Sequence, residues 1–224
     1  MVDNDKLAVL EAGFSFWGNL TEQEKKEVEE NAVEVRFRRG ESIHRAGEDC
    51  AGMMLVTSGQ LRTYILSEDG REVTLYRLWK GDVCVLSASC VLSEVAFDVL
   101  IEAVGDTEVI LLPLAFFRRL KEKNVYVELF TYRLATERFS DVMWSLQQIL
   151  FMRADQRLAA FLWDEMTRTG TEEMSYTHDQ IARYMGSARE VVSRLLKYFS
   201  QEGIVKVSRG KITVLDRAKL KGFL

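Results

Sequence analysis

Apolar and polar positions change period twice along the chain. From residue 33 to about 112 they alternate or come in short apolar runs, broken by glycines at 40, 47, 52, 59, 70, 81 and 105. Residues 33–37 alternate, 53–57 form a run of the buried type, and 61–66 read as a further strand. Glu68-Asp69-Gly70-Arg71 is a strong hairpin turn leading into a strand at 73–78, and strands at 99–104 and 108–112 close the set. Many short strands with regular turn signals predict a β-sandwich or jelly roll. Ahead of it, Leu7, Leu10, Phe14, Phe16 and Trp17 predict a packed N-terminal segment, and Thr21-Glu22-Gln23-Glu24 is a capping box for a helix to about Asn31. Residues 115–120 predict a short helix.

A helical period follows from about 125 to 152. Leu129, Tyr132, Thr136, Phe139, Met143, Leu146 and Leu150 are spaced alternately by three and four, a heptad seam that predicts a helix paired with a second copy of itself. A second stripe, Val127, Phe130, Leu134 and Val142, is expected to pack on the strands; a single wide stripe facing the core of a monomer is the plainer alternative. Residues 155–166 predict another helix, and a polar stretch at 167–175 follows it.

Residues 177–201 carry two helix starts in succession. Thr177-His178-Asp179-Gln180 is one capping box, Ser187-Ala188-Arg189-Glu190 is read as a second, and Gly186 between them suits the left-handed end of the first helix. Ile181, Met185, Val192, Leu195 and Leu196 put one apolar stripe on each helix, with Ala182 small at the crossing. This is the pattern of a helix-turn-helix. Arg189, Glu190, Ser193 and Arg194 share an exposed face near the start of the second helix, followed by Lys197. In such a motif that end enters the major groove, where Arg matches the two acceptors of guanine and Glu accepts from the cytosine amino group. The plainer alternative is a solvated charged face. Gly203, a strand at 204–207, a basic turn at 208–211 and a strand at 212–215 then predict a β-wing, with Lys206, Arg209 and Lys211 placed for phosphates together with Thr177, Ser187 and Lys197.

Net charge is −4, which alone argues against nucleic acid, but its distribution does not. From Thr177 onward ten Lys and Arg stand against four Asp and Glu, a net of +6, leaving −10 on the remainder. A hydrophobic fraction of 47% over 224 residues allows one large or two modest cores. The opening MVDNDK lacks an apolar core, and the longest apolar run, 109–117, is too short for a bilayer and contains Pro113, so a cytoplasmic protein with no membrane partner is expected.

The second helix, SAREVVSRLLKYF, resembles the recognition helix of the CRP/FNR superfamily of bacterial transcription regulators, whose R-E-x-x-S/G-R pattern falls on Arg189, Glu190, Ser193 and Arg194. The family's R-x-G-E, V-x-S-G-x-L, D-G-R-E-V and G-D patterns are matched by residues 39–41, 56–61, 69–73 and 81–82, so the resemblance runs along nearly the whole chain. It implies an α+β protein: a β-roll (jelly-roll, cyclic-nucleotide-binding-like) sensor domain at 1–124, a dimerisation helix at 125–152, and a winged helix-turn-helix domain at 153–224. It further implies a homodimer on a palindromic double-stranded operator with a TGA-containing core, and RNA polymerase as a further partner.

The signal sensed is less legible. Relatives that bind cyclic nucleotides carry a Gly-Glu pair after the G-D turn and an Arg-Ser/Thr pair before the next strand. Here Val85-Leu86 and Phe97-Asp98 occupy those positions, and an Asp where phosphate belongs repels it, so cyclic AMP is not expected. Residues Leu86, Ser87, Ser89 and Cys90, with Phe97 and Asp98, mark the expected effector pocket. Cys50, Cys84 and Cys90 lack the spacing of an iron–sulfur site and read first as small hydrophobes; a thiol switch or an electrophile or nitric oxide sensor at Cys84 and Cys90 is the sharper reading. Of the two histidines, His178 falls in the reader and His44 is expected on a strand surface, so neither haem nor a metal is expected. No cofactor is assigned, and a small-molecule or redox effector stays open. Two other classes compete. A jelly-roll enzyme needs clustered metal-binding histidines that two distant ones cannot supply, and no nucleophile motif stands in their place. A ligand- or partner-binding module without specific DNA binding is opposed by the basic C-terminal end.

Overall fold

The computed structural model describes residues 4–44, 51–68, 70, 72–85 and 99–224. The chain divides into two bodies, one of residues up to Ile65 with Leu75–Met143, the other of Trp144–Leu224 with Leu66–Thr74.

The first body begins with α1 (Asn4–Gly13), a 3-10 turn (Trp17–Asn19) and α2 (Glu22–Asn31). The expected capping box opens α2: Thr21 Oγ1 accepts from the Glu24 amide at 3.2 Å, and Glu24 Oε2 accepts from the Thr21 amide at 2.8 Å. The strands described are β1 (Val33–Phe37), β2 (Ser42–His44), β3 (Gly52–Ser58), β4 (Gln60–Leu66), β5 (Glu72–Trp79), β6 (Val83–Val85), β7 (Leu100–Ala103) and β8 (Thr107–Pro113). They form two four-stranded sheets, β1-β8-β3-β6 and β2-β7-β4-β5.

The unbroken run at 53–56 follows from burial on both faces. Met53 and Leu55 pack with Leu10, Phe14 and Trp17 of the N-terminal segment, whereas Met54 and Val56 join Leu61, Leu78 and Ile101 in a separate cluster. β8 repeats the arrangement, with Ile110 and Leu112 in the first cluster and Val109 in the second. Gly59 turns β3 into β4 at φ 80°, and a Cβ there would lie 2.5 Å from the Asp106 carbonyl oxygen, so both conformation and space demand glycine. β2 and β6, of three residues each, are too short to leave a periodic signal. His44 corrects one expectation: it lies in a strand, but buried at 6% exposure rather than on the surface, because it ends β2 opposite Ile101.

α3 (Leu114–Lys123) buries Phe116, Phe117 and Leu120, and α4 (Val125–Phe151) is the long helix. Val127, Thr131 and Leu134 of α4 are buried, and Phe130 packs edge-on at 5.1 Å from Phe16. One helical turn on from Leu134, the Arg138 guanidinium lies 5.2 Å from the Tyr76 ring centre and pairs with Asp141 at 2.8 Å.

The second body holds α5 (Ala154–Thr169), β9 (Glu173–Met174), α6 (His178–Met185), α7 (Arg189–Gln201), β10 (Val205–Ser208), β11 (Lys211–Val214) and α8 (Arg217–Lys221). Its core joins Leu158 and Leu162 of α5 to Ile181, Val192, Leu196 and Phe199. The apolar stripe of α5 contains one acid, Glu165, at 1% exposure. Its carboxylate accepts the Tyr176 hydroxyl at 2.6 Å and pairs with Arg168, tying α5 to the connecting segment just ahead of α6. Tyr176 in turn sits among Phe161 and Tyr184, with ring centres 5.4 and 5.8 Å away. Neither β9 nor α8 was legible as an element of its own, since one has two residues and the other five.

Cys84 lies in the inter-sheet cluster at 1% exposure, where burial pushes its thiol up to about 12 against the opposing pull of the Arg138 charge. At pH 8 the thiolate fraction is then on the order of one in ten thousand. Cys84 should resist iodoacetamide at pH 8 in the native protein and become modified only in denaturant, as read by peptide mapping. Labelling at the rate of a free thiol would contradict the packing around it.

Candidate nucleic-acid interface

α6 and α7 form the expected pair of helices. At the start of α6, Thr177 Oγ1 accepts from the Gln180 amide at 3.2 Å and Gln180 Oε1 accepts from the Thr177 amide at 2.8 Å, so this capping box is closed on both sides. α6 ends at Gly186 in the left-handed region, φ 58° and ψ 44°. The Ser187 amide then donates to the Ala182 carbonyl at 2.9 Å, the back-bond of a Schellman ending.

That bond corrects the second capping box expected at residues 187–190. Ser187 is committed to closing α6, so α7 starts one residue later, with Ala188 as an N-cap lacking any side-chain bond. Glu190 in the first turn still suits the positive end of the helix. At the far end α7 closes normally, with Gly203 at φ 67° and the Ile204 amide bonded to Phe199 O at 2.8 Å.

Burial separates the two faces of α7. Val192, Leu196 and Phe199 are buried against α5 and α6, whereas Arg189, Glu190, Ser193, Arg194 and Lys197 are all exposed. The wing is β10 and β11 in antiparallel register, Val205 opposite Val214 and Ser208 opposite Lys211, turning through Arg209 and Gly210. Gly210 takes φ 73°, a left-handed value that suits glycine. Lys206, Arg209 and Lys211 are exposed, and Lys211 Nζ bonds Glu173 of the adjoining β9 at 2.6 Å. Between wing and helices lies a cleft of ≈ 290 Å³ lined by Thr177, His178, Asp179, Arg189 and residues 207–212 other than 209.

Two side chains of the α6 first turn reach the exposed face of α7, and neither is among the residues expected to contact bases or phosphates. Asp179 lies 3.6 Å from the Arg189 guanidinium, and His178 Nδ1 lies 3.1 Å from Ser193 Oγ. The signal available was their place immediately after the Thr177 cap, at the end of α6 that crosses the start of α7. The carboxylate and guanidinium are both more than half exposed, at 54% and 63%, so their attraction is screened by solvent.

The heptad seam lies on the outside of α4. Leu129, Tyr132, Thr136, Phe139, Met143, Leu146 and Leu150 are all exposed, Phe139 at 66% and Leu150 at 61%. The effector-pocket residues Leu86, Ser87, Ser89, Cys90, Phe97 and Asp98 lie outside the described residues, as does Cys50. Among the described residues no group of three metal-ligating side chains converges, and no helix is long and apolar enough to cross a membrane.

Residues 156–223 match the family model of the Crp-like helix-turn-helix domain, and residues 34–124 match that of the cyclic nucleotide-binding domain. A protein from Eubacterium rectale, described as a transcriptional regulator of the crp/fnr family, has a crystal structure similar to this chain: 45% identity, 95% of this chain and 99% of that one covered, TM-score 0.87. The transcriptional regulatory protein btr of Bordetella pertussis is 26% identical, over 84% of this chain and 79% of its own. FixK2 from Bradyrhizobium japonicum shares the fold at TM-score 0.74 and 24% identity, covering 86% of this chain and 96% of that one. The chain belongs to the CRP/FNR family of transcription regulators, with a cyclic-nucleotide-binding-like sensor region ahead of a Crp-like helix-turn-helix.

Proposed function

We propose that this regulator works as a homodimer that reads a two-fold palindrome with half-sites about one helical turn apart. The observation that carries the reading is the division of α7, with Val192, Leu196 and Phe199 buried and Arg189, Glu190, Ser193 and Arg194 exposed together at its leading end. Arg189 reads guanine, Glu190 a cytosine or adenine amino group, and Arg194 guanine or phosphate, while Ser193 touches a thymine methyl. Lys197, the wing residues Lys206, Arg209 and Lys211, the helix start at Thr177, and Ser187 in the turn between the helices meet phosphates. With its side chain not used as a cap, Ser187 would do so through its hydroxyl.

The exposed seam of α4 supports pairing with a second copy. Seven positions at heptad spacing, six of them large, would otherwise stand in water, and each large apolar side chain gains roughly 1.5–3 kcal/mol on full burial. The effector acts within the roll and biases how the paired long helices set the two readers apart. Its identity stays open between a small molecule and a redox signal, and the role is regulatory rather than catalytic. RNA polymerase is the further partner, and the cytoplasm is the setting that DNA binding implies.

Arg189→Ala should cost about 1–3 kcal/mol at one base position, whereas Lys211→Ala should weaken all sequences by a similar factor and lower the salt slope by about one. Fluorescence anisotropy on single-substitution operators separates the two, and a flat loss for Arg189→Ala refutes its role as a reader. Phe139→Asp, at the centre of the seam, should raise the dimer dissociation constant at least about a hundredfold, since an unpaired charge enters an apolar interface. Analytical ultracentrifugation reads this directly, and an unchanged sedimentation profile removes the seam from the interface. Titration calorimetry with cyclic AMP should show no binding at micromolar concentrations; a saturating heat there overturns the reading of Val85-Leu86 and Phe97-Asp98.

A further inference from the structure

The base-reading side chains of α7 are not left to find their own positions. Arg189 and Ser193 stand one turn apart on the exposed face, and each is met by a different residue of the first turn of α6. Asp179 lies 3.6 Å from the Arg189 guanidinium, and His178 Nδ1 lies 3.1 Å from Ser193 Oγ. The donor in the second contact is set by the imidazole tautomer. Both partners are themselves fixed, because the closed Thr177–Gln180 capping box determines where the first turn of α6 begins. The same turn forms one wall of the cleft whose other walls are Arg189 and the wing.

We propose that Asp179 and His178 are positioning residues for sequence recognition, holding the Arg189 fork and the Ser193 hydroxyl in the orientations that meet base edges. This rests on the reading of Arg189 and Ser193 as base contacts. An arginine side chain loses much rotamer freedom when its fork docks on guanine, and a carboxylate that limits its rotamers beforehand lowers that cost. The opposite sign of charge makes the claim distinctive. A carboxylate beside the phosphate backbone repels DNA of every sequence, so Asp179 weakens overall binding while it sharpens choice. The neighbouring charges facing this cleft are Arg189 on α7 and Lys211 on the wing, and neither repeats the carboxylate's effect.

The experiment compares full-length wild type with Asp179→Asn and His178→Ala on a set of operators carrying single base changes, together with unrelated DNA. Asp179→Asn should bind unrelated DNA more tightly, yet its preference at the base read by Arg189 should narrow about two- to fivefold, the range of an exposed ion pair. His178→Ala should narrow preference by a similar factor at the base facing Ser193 and leave the Arg189 position unchanged. Equal tightening on all sequences with the preference intact makes Asp179 a mere charge near phosphate and overturns the proposal, as does no change at all. Arg189→Ala in the same set separates the two levels. If it gives a flat loss across sequences, the reading of Arg189 falls and takes the proposal with it; if its loss is confined to one base while Asp179→Asn leaves preference intact, only the positioning role falls.

Discussion

The packing of Ile181, Ala182 and Met185 of α6 against Val192 and Leu196 of α7 is the contact on which the rest depends. It commits the inner face of α7 to the core and leaves Arg189, Glu190, Ser193, Arg194 and Lys197 together on the exposed outer face. The left-handed Gly186 makes the crossing possible, because it reverses the chain in a turn short enough to hold the two helices at close range. Around that contact the second body adds supports. Glu165 anchors Tyr176 from α5, and the wing lies across from the helix starts. The charges are distributed accordingly, with basic side chains on the exposed end of the second body and a net acidic remainder.

Much of this could be read from residue order, and the parts that could not share a physical cause. The helix-turn-helix, the wing, the Thr21 and Thr177 caps and the longer strands leave signals over four or more residues, in periodicity or in turn chemistry. Strands such as β2, β6 and β9 leave none, because two or three residues cannot show a period. Ser187 was misplaced as a cap because local sequence does not reveal that its amide closes the preceding helix. The placing of His44 on the surface failed likewise, since its burial depends on strand pairing far along the chain. Glu165 is visible in principle as the one acid on the apolar stripe of α5, with Arg168 at i+3 on the same helix, but its partner Tyr176 emerges only in three dimensions.

The first body is built around two central strands. Its stability rests on β3 and β8, each buried on both faces, and on the Phe14, Phe16 and Phe130 cluster that binds the N-terminal segment to the long helix. Arg138 and Asp141, on the same helix as the exposed seam, meet Tyr76 and each other on the roll side. One helix thus carries both the face that packs on the roll and an exposed heptad seam.

The most direct test of the central claim is a binding selection from random duplex DNA with the purified, reduced, full-length protein. Recovery of a two-fold palindrome, its half-sites about one helical turn apart, is the predicted result, since it requires both the reading face and the dimer. Enrichment of a single unsymmetrical motif would contradict the paired reader, and recovery of DNA with no common sequence would contradict specific reading by α7.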